Sequence, residues 1–161
     1  MFWKTSKFYL LVHTVTLVGS LILTAAGSAL TCPLAANLTQ DTFGVLAIDT
    51  SGNYWYKENS MLDSNSSYVF GIATVTESPT SQASITCYYT NSNTGGGLTL
   101  ALYDTNSTPY QAIQLTSATH QGADWVQGNA PPLPTVPEIY SCNAYSAGST
   151  DPNYCNFTFT F

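Results

Sequence analysis

His120 and Asp124 stand four residues apart among serines and threonines, the residue types of a Ser, His, Asp hydrolase. No Gly-x-Ser-x-Gly elbow presents a nucleophile to that histidine, so the grouping is expected to be an ordinary polar segment. Asp49-Thr50-Ser51-Gly52 comes close to the Asp-Thr-Gly of aspartic proteases. Ser51 interrupts the motif, and no second copy supplies the partner carboxylate that shares a proton in such a dyad. It is read as a turn. A glycosidase needs two acids flanking the scissile bond, and the sequence alone pairs none of the nine acidic residues. Asp49-x-Ser51-x-Asn53, Asp63-x-Asn65 and Asp104-x-Asn106 place oxygens at alternate positions, as calcium loops do, without the remaining ligands or the closing Glu. Asx-turns account for them. Neither a metal nor another cofactor is expected, and the chain is read as non-enzymatic.

The aromatic residues offer more. In Asn53-Tyr54-Trp55-Tyr56-Lys57, alternation sets Trp55 on one strand face and Tyr54 with Tyr56 on the other, while Trp125 follows the polar Asp124. Aromatic rings beside short polar side chains stack on sugars or peptides without needing formal charge. Tyr54, Tyr56 and Trp125 are therefore the candidate binding residues, with core packing as the competing role, above all for Trp55.

Charge narrows the class of partner. Lys4 and Lys7 lie in the first seven residues, and beyond them Lys57 is the only lysine or arginine. Nucleic-acid affinity rests on Lys and Arg neutralising phosphates, so a nucleic-acid partner is excluded. Anionic membrane surfaces and phosphorylated substrates are disfavoured for the same reason.

The start of the chain reads as an export signal. A basic stretch through Lys7 precedes an apolar run from Phe8 to Ala26, and Ala25-Ala26-Gly27-Ser28-Ala29 closes it with small residues. Residues 1–29 are expected to form a signal helix cleaved near Ala29, leaving 30–161 as one domain that is secreted or periplasmic and free of the membrane. A retained anchor is the alternative, since such a run approaches the length that spans a bilayer.

After the leader, period-two alternation dominates. Ile85, Cys87 and Tyr89 share one parity, as do Leu98, Leu100 and Leu102, and again Phe157, Phe159 and Phe161. Asn91 to Gly97 joins the first two segments as a hairpin. Further strands are expected over Phe43–Ile48, Tyr54–Glu58, Tyr68–Thr76, Pro109–Thr116 and Glu138–Ala144, and the proline-rich 128–137 as a surface crossover. About eight short strands predict an all-β fold, an antiparallel β-sandwich, with a small β-barrel as the alternative.

Cys32, Cys87, Cys142 and Cys155 form no Cys-x-x-Cys pair, so in an exported chain they predict two disulfides rather than a zinc site. Cys142 and Cys155 bracket a loop rich in Ser, Gly, Asp and Pro that closes easily, which favours Cys142 with Cys155 and leaves Cys32 for Cys87. The rival pairing joins Cys32 to Cys155 and Cys87 to Cys142. Asn-x-Ser/Thr sequons at Asn37, Asn65, Asn106 and Asn156 would carry glycans in a eukaryotic host where exposed, but occur at about the frequency chance gives.

Cys32-Pro33, a Trp, Phe70-Gly71-Ile72-Ala73, Cys87-Tyr88-Tyr89 leading to a Gly-rich hairpin, Trp125, Cys142 and a terminal Cys155-Asn156-Phe157 follow one another in this order. In this the chain resembles a family of small exported proteins of unknown function from Gram-negative bacteria. The resemblance implies a secreted or periplasmic β-domain with paired cysteines and no catalytic residue. The expectation is a binding module whose partner is an extracellular or periplasmic protein or glycan. A small secreted enzyme or enzyme inhibitor, and a pilin-like assembly subunit, are the alternatives.

Overall fold

Alternating side chains become antiparallel strands along most of the chain. A computed structural model describes residues 29–63, 67–77, 83–104, 111–113, 115–128 and 137–160. The expected signal helix and most of the proline-rich crossover lie outside these residues. The strands are β1 (Thr39–Gln40), β2 (Gly44–Ile48), β3 (Tyr54–Glu58), β4 (Tyr68–Glu77), β5 (Ser84–Asn91), β6 (Gly97–Asp104), β7 (Gln111–Ala112), β8 (Ser117–Gln121), β9 (Trp125–Gln127), β10 (Glu138–Asn143) and β11 (Asn156–Thr160). Three single-turn 3₁₀ helices occupy Ala35–Asn37, Tyr145–Ala147 and Pro152–Tyr154. Among the described residues no helix is long and apolar enough to cross a membrane.

A large sheet runs in the order β1-β2-β3-β6-β5-β4-β10-β9, with β7 paired to the end of β6, and a second sheet consists of β11 and β8. Every pairing is antiparallel, and the two sheets make an unequal β-sandwich. Leu30 extends the small sheet by a reciprocal bridge, its N–H donating to the Phe157 carbonyl at 2.8 Å and its carbonyl accepting from Phe157 at 3.0 Å.

The inner face of the large sheet carries Val45, Ala47, Trp55, Leu100, Cys87, Tyr89, Ala73 and Val75, all buried, and the small sheet covers it with Ala118 and Phe157. Phe157 meets Trp55 edge-on, ring centroids 6.0 Å apart. In β4 the parity slips: Phe70 points inward, and so do Ala73 and Val75. Gly71 is the extra residue of a β-bulge where the register against β5 shifts between Phe70 and Ile72.

Both disulfides tie the large sheet to what covers it. Cys32 bonds Cys87 in the middle of β5, and Cys142 of β10 bonds Cys155 just before β11. These are the pairs that loop composition favours, and all four cysteines are buried. Beside the first bridge the Tyr89 hydroxyl donates to the Pro33 carbonyl at 2.7 Å. Burial pushes that phenol above the ordinary tyrosine range, and the charge of Asp49 adds to the shift.

Candidate functional site

Asp49 builds a turn. Its Oδ1 accepts from the backbone N–H groups of Ser51 and Asn53 at 2.8 and 2.9 Å, and its Oδ2 accepts from Asn53 Nδ2 at 2.9 Å and Trp55 Nε1 at 3.0 Å. A carboxylate with four internal donors has no coordination left for calcium or for catalysis. This is the Asx-turn expected of Asp49-Thr50-Ser51-Gly52. The other calcium-like clusters include Asn65 and Asn106, which lie outside the described residues.

His120 and Asp124, four apart in sequence, hold different partners. Asp124 accepts from the Tyr154 hydroxyl at 3.0 Å. His120 turns to Glu77, which is remote in sequence: Glu77 Oε1 accepts from the His120 backbone N–H at 3.1 Å and lies 2.8 Å from Nδ1. A carboxylate only accepts, so Nδ1 carries the proton. Glu77 and Glu138 are directly opposite on β4 and β10, an arrangement of like charges that costs stability unless each is engaged. The second is engaged by Tyr140, whose hydroxyl donates to Glu138 Oε2 at 2.6 Å, and the Tyr140 ring stacks on His120 with centroids 3.9 Å apart. The cluster clasps β8 of the small sheet to β4 and β10 of the large one. The carboxylate pair that sequence could not assign is thus found, but both acids hold structure, and among the described residues no hydroxyl or thiol bonds the His120 ring.

The hydrogen bond to Glu138, partial burial, and the charges of Glu138 and Glu77 push the Tyr140 phenol up to about 12. A group whose folded value is raised contributes its stability below the unfolded value, about 10, and loses it as pH rises through the folded value. Absorbance titration of tyrosinate should therefore show a phenol ionising near 12 that Tyr140→Phe removes. An unchanged titration in that variant would contradict the clasp.

The three sequence candidates do not converge. Tyr54 is 37% exposed, whereas Tyr56 is 3% and Trp125 is 8% exposed, so the latter two cannot offer open stacking platforms. Trp125 lies on β9 at one edge of the large sheet, opposite Cys142 and with its ring centroid 5.9 Å from that of His120. Tyr54 and Tyr56 do share the outer face of β3, near the other edge. Tyr56 is buried there because it lies across Gly44, where a Cβ would come within 2.9 Å of its ring and hydroxyl, and because Tyr103 packs edge-on against it at 5.2 Å.

That outer face has the more distinctive chemistry. Strand parity places on it Thr39, Leu46 and Ile48 of β1 and β2, Tyr54 and Tyr56 of β3, and Thr99, Ala101 and Tyr103 of β6. It continues with Ser84, Thr86, Tyr88 and Thr90 of β5, Ile72, Thr74 and Thr76 of β4, Ile139 and Ser141 of β10, and Val126 of β9. Glu58, at the end of β3, is the single acidic or basic residue among these strand positions. The polar parity of the strands is filled with Thr, Ser and Tyr rather than with charge, and that was the sequence signal for this surface. A pocket of about 470 Å³ lies elsewhere, where Asp63, Ser67 and Tyr68 line it beside Leu38 and Leu62.

The chain matches no family model, and no curated protein or solved structure is significantly similar to it.

Proposed function

We propose that this is an exported, non-enzymatic binding module that engages its partner through the outer face of the large sheet. The observation that carries the proposal is the breadth of this face: eight strands wide, its outward strand positions hold hydroxyls, tyrosines and aliphatics with Glu58 as the one charged residue, and the Asp41 carboxylate sits at its edge beside the Tyr56 hydroxyl. The chain as a whole is only 7% charged, and this face is the broader of its two solvent-facing sheet surfaces. A hydroxyl- and tyrosine-rich face without a cation is suited to a neutral or amphipathic partner, and it gives a phosphate or a nucleic acid nothing to pair with.

Two disulfides point to an oxidising compartment. Export through a leader cleaved after Ala29 fits the fold, because the new amino terminus, Leu30, is the residue that bridges to Phe157. An ammonium there remains a donor to the Phe157 carbonyl.

Protein recovered from the medium or periplasm should have an intact mass that starts at Leu30; a mass retaining residues 1–29 would refute cleavage there. Binding of the labelled protein to isolated cell envelopes tests the face. Thr86→Lys with Thr99→Lys puts two charges at diagonal positions of β5 and β6 on it and should weaken binding at least about tenfold, an effect of roughly 1.4 kcal/mol. Thr119→Lys, on the solvent side of the small sheet, should leave binding intact. Equal binding by the doubly charged variant would overturn the proposal.

A further inference from the structure

We infer that β8 is a strap that opens by itself, leaving β11 and the large sheet folded while it bares the edge of β11 and the ring of Tyr140. The strap is anchored at both ends. Leu115, buried ahead of it, bridges to Ala83, and Trp125, buried after it, belongs to β9. Between these anchors, in residues 116–124, Ala118 is the only buried side chain. β5, by contrast, buries Ile85, Cys87, Tyr89 and Asn91. Local opening takes place where few apolar contacts are buried, and the Ala118 methyl is all that β8 withdraws from the core.

What holds β8 is mostly polar. Phe157 directs its N–H and C=O to Leu30, so alternation along β11 turns those of Thr158 toward Thr119. His120 points its own N–H the other way, to the Glu77 carboxylate, which also takes the Nδ1 proton, and its ring stacks on Tyr140. The Ser117 and Thr160 hydroxyls, 2.7 Å apart, are exposed. Water can replace each of these hydrogen bonds once the strap lifts. β11 stays behind for separate reasons: Phe157 is fully buried against Trp55 and pairs with Leu30, and Cys155 ties the start of the strand to β10. The released Thr158 then offers an open strand edge.

Amide hydrogen exchange of the disulfide-intact protein, followed residue by residue by NMR, tests the inference. The Thr119 and Thr158 amides should exchange at least about a hundred times faster than those of Cys87 and Tyr89, while Phe157, bonded to Leu30, stays with the slow group. Urea below the unfolding transition should leave the Thr119 and Thr158 rates unchanged and raise those of β5, because opening a strap exposes little surface. Val45→Ala, on β2, weakens core contacts that persist in the open form; it should speed exchange in β5 about tenfold without altering β8. Glu77→Ala unties His120 and should speed Thr119 about tenfold. Exchange of Thr119 and Thr158 in step with β5, in urea or in Val45→Ala, would overturn the inference, since β8 would then leave only with the whole domain. Loss of Phe157 protection together with that of Thr158 would also overturn it, by making the entire small sheet the unit that opens.

Discussion

Replacing Cys32 and Cys87 together with alanine should cost about 4 kcal/mol, and replacing Cys142 and Cys155 about 3 kcal/mol. The difference follows from loop length: the first bridge closes a separation of 55 residues and the second one of 13. A cross-link stabilises chiefly by restricting the unfolded chain, and the restriction grows with the logarithm of the loop it closes. Against a total stability of about 5–15 kcal/mol for a domain, the first loss is large. It should lower the melting temperature by about 10–15 °C, and urea unfolding of the two double variants should rank them in this order. A loss under about 1 kcal/mol for the Cys32 and Cys87 pair, or the reverse ranking, would show that the unfolded chain is already restrained there by other contacts.

Asp49→Ala should be the most damaging single substitution outside the cysteines and the apolar core, costing about 3–4 kcal/mol. Ser51 is exposed, so its backbone N–H can turn to water when the carboxylate is gone. Trp55 Nε1 cannot, because Trp55 is fully buried between the sheets, and a buried donor without an acceptor carries its whole desolvation cost. Asp49→Asn keeps one oxygen but sets an amide donor against either Trp55 Nε1 or the backbone N–H groups. It should therefore cost about half as much. Denaturant unfolding followed by tryptophan fluorescence measures both. Near-wild-type stability in the alanine variant would mean that the turn does not depend on this carboxylate.

Much of the fold was legible because local pattern decides it. The alternations Ile85-Cys87-Tyr89 and Leu98-Leu100-Leu102 became the buried faces of β5 and β6, and Asn91 to Gly97 became their connection. β8 was not legible. Ser117-Ala118-Thr119-His120-Gln121 has one small apolar residue to bury, and it is held through Glu77 and through pairing with β11. Of the expected strand Pro109–Thr116, only the short β7 and a bridge from Leu115 to Ala83 form among the described residues. The bulge at Gly71 inverts a parity that simple alternation carries straight through.

The site was legible only in outline. That Tyr54 and Tyr56 share a face follows from a strand's period of two. That Tyr56 is covered depends on Gly44 and Tyr103, which reach it from the strands on either side. Trp125 was expected to be exposed because Asp124 precedes it; in the sandwich it faces inward beside Cys142 and His120. The Glu77, His120, Glu138 and Tyr140 cluster joins three strands far apart in sequence, so no spacing could announce it. The outer face, by contrast, was written in the hydroxyl-bearing parity of β4, β5 and β6, but only the strand order joins these positions to the apolar ones of β2 and β9 in one surface.

Tyrosine footprinting tests the central claim, that this face is where the module binds, within a single sample. The protein is treated with a tyrosine-oxidising reagent free and while bound to isolated cell envelopes, and each tyrosine is followed by mass spectrometry. Tyr54, Tyr88 and Tyr103 lie on the outer face, whereas Tyr145, 69% exposed, lies in a 3₁₀ turn after β10 and serves as the internal reference. Binding should protect the first three and leave Tyr145 as reactive as before. Protection of Tyr145 with Tyr54, Tyr88 and Tyr103 unchanged would contradict it.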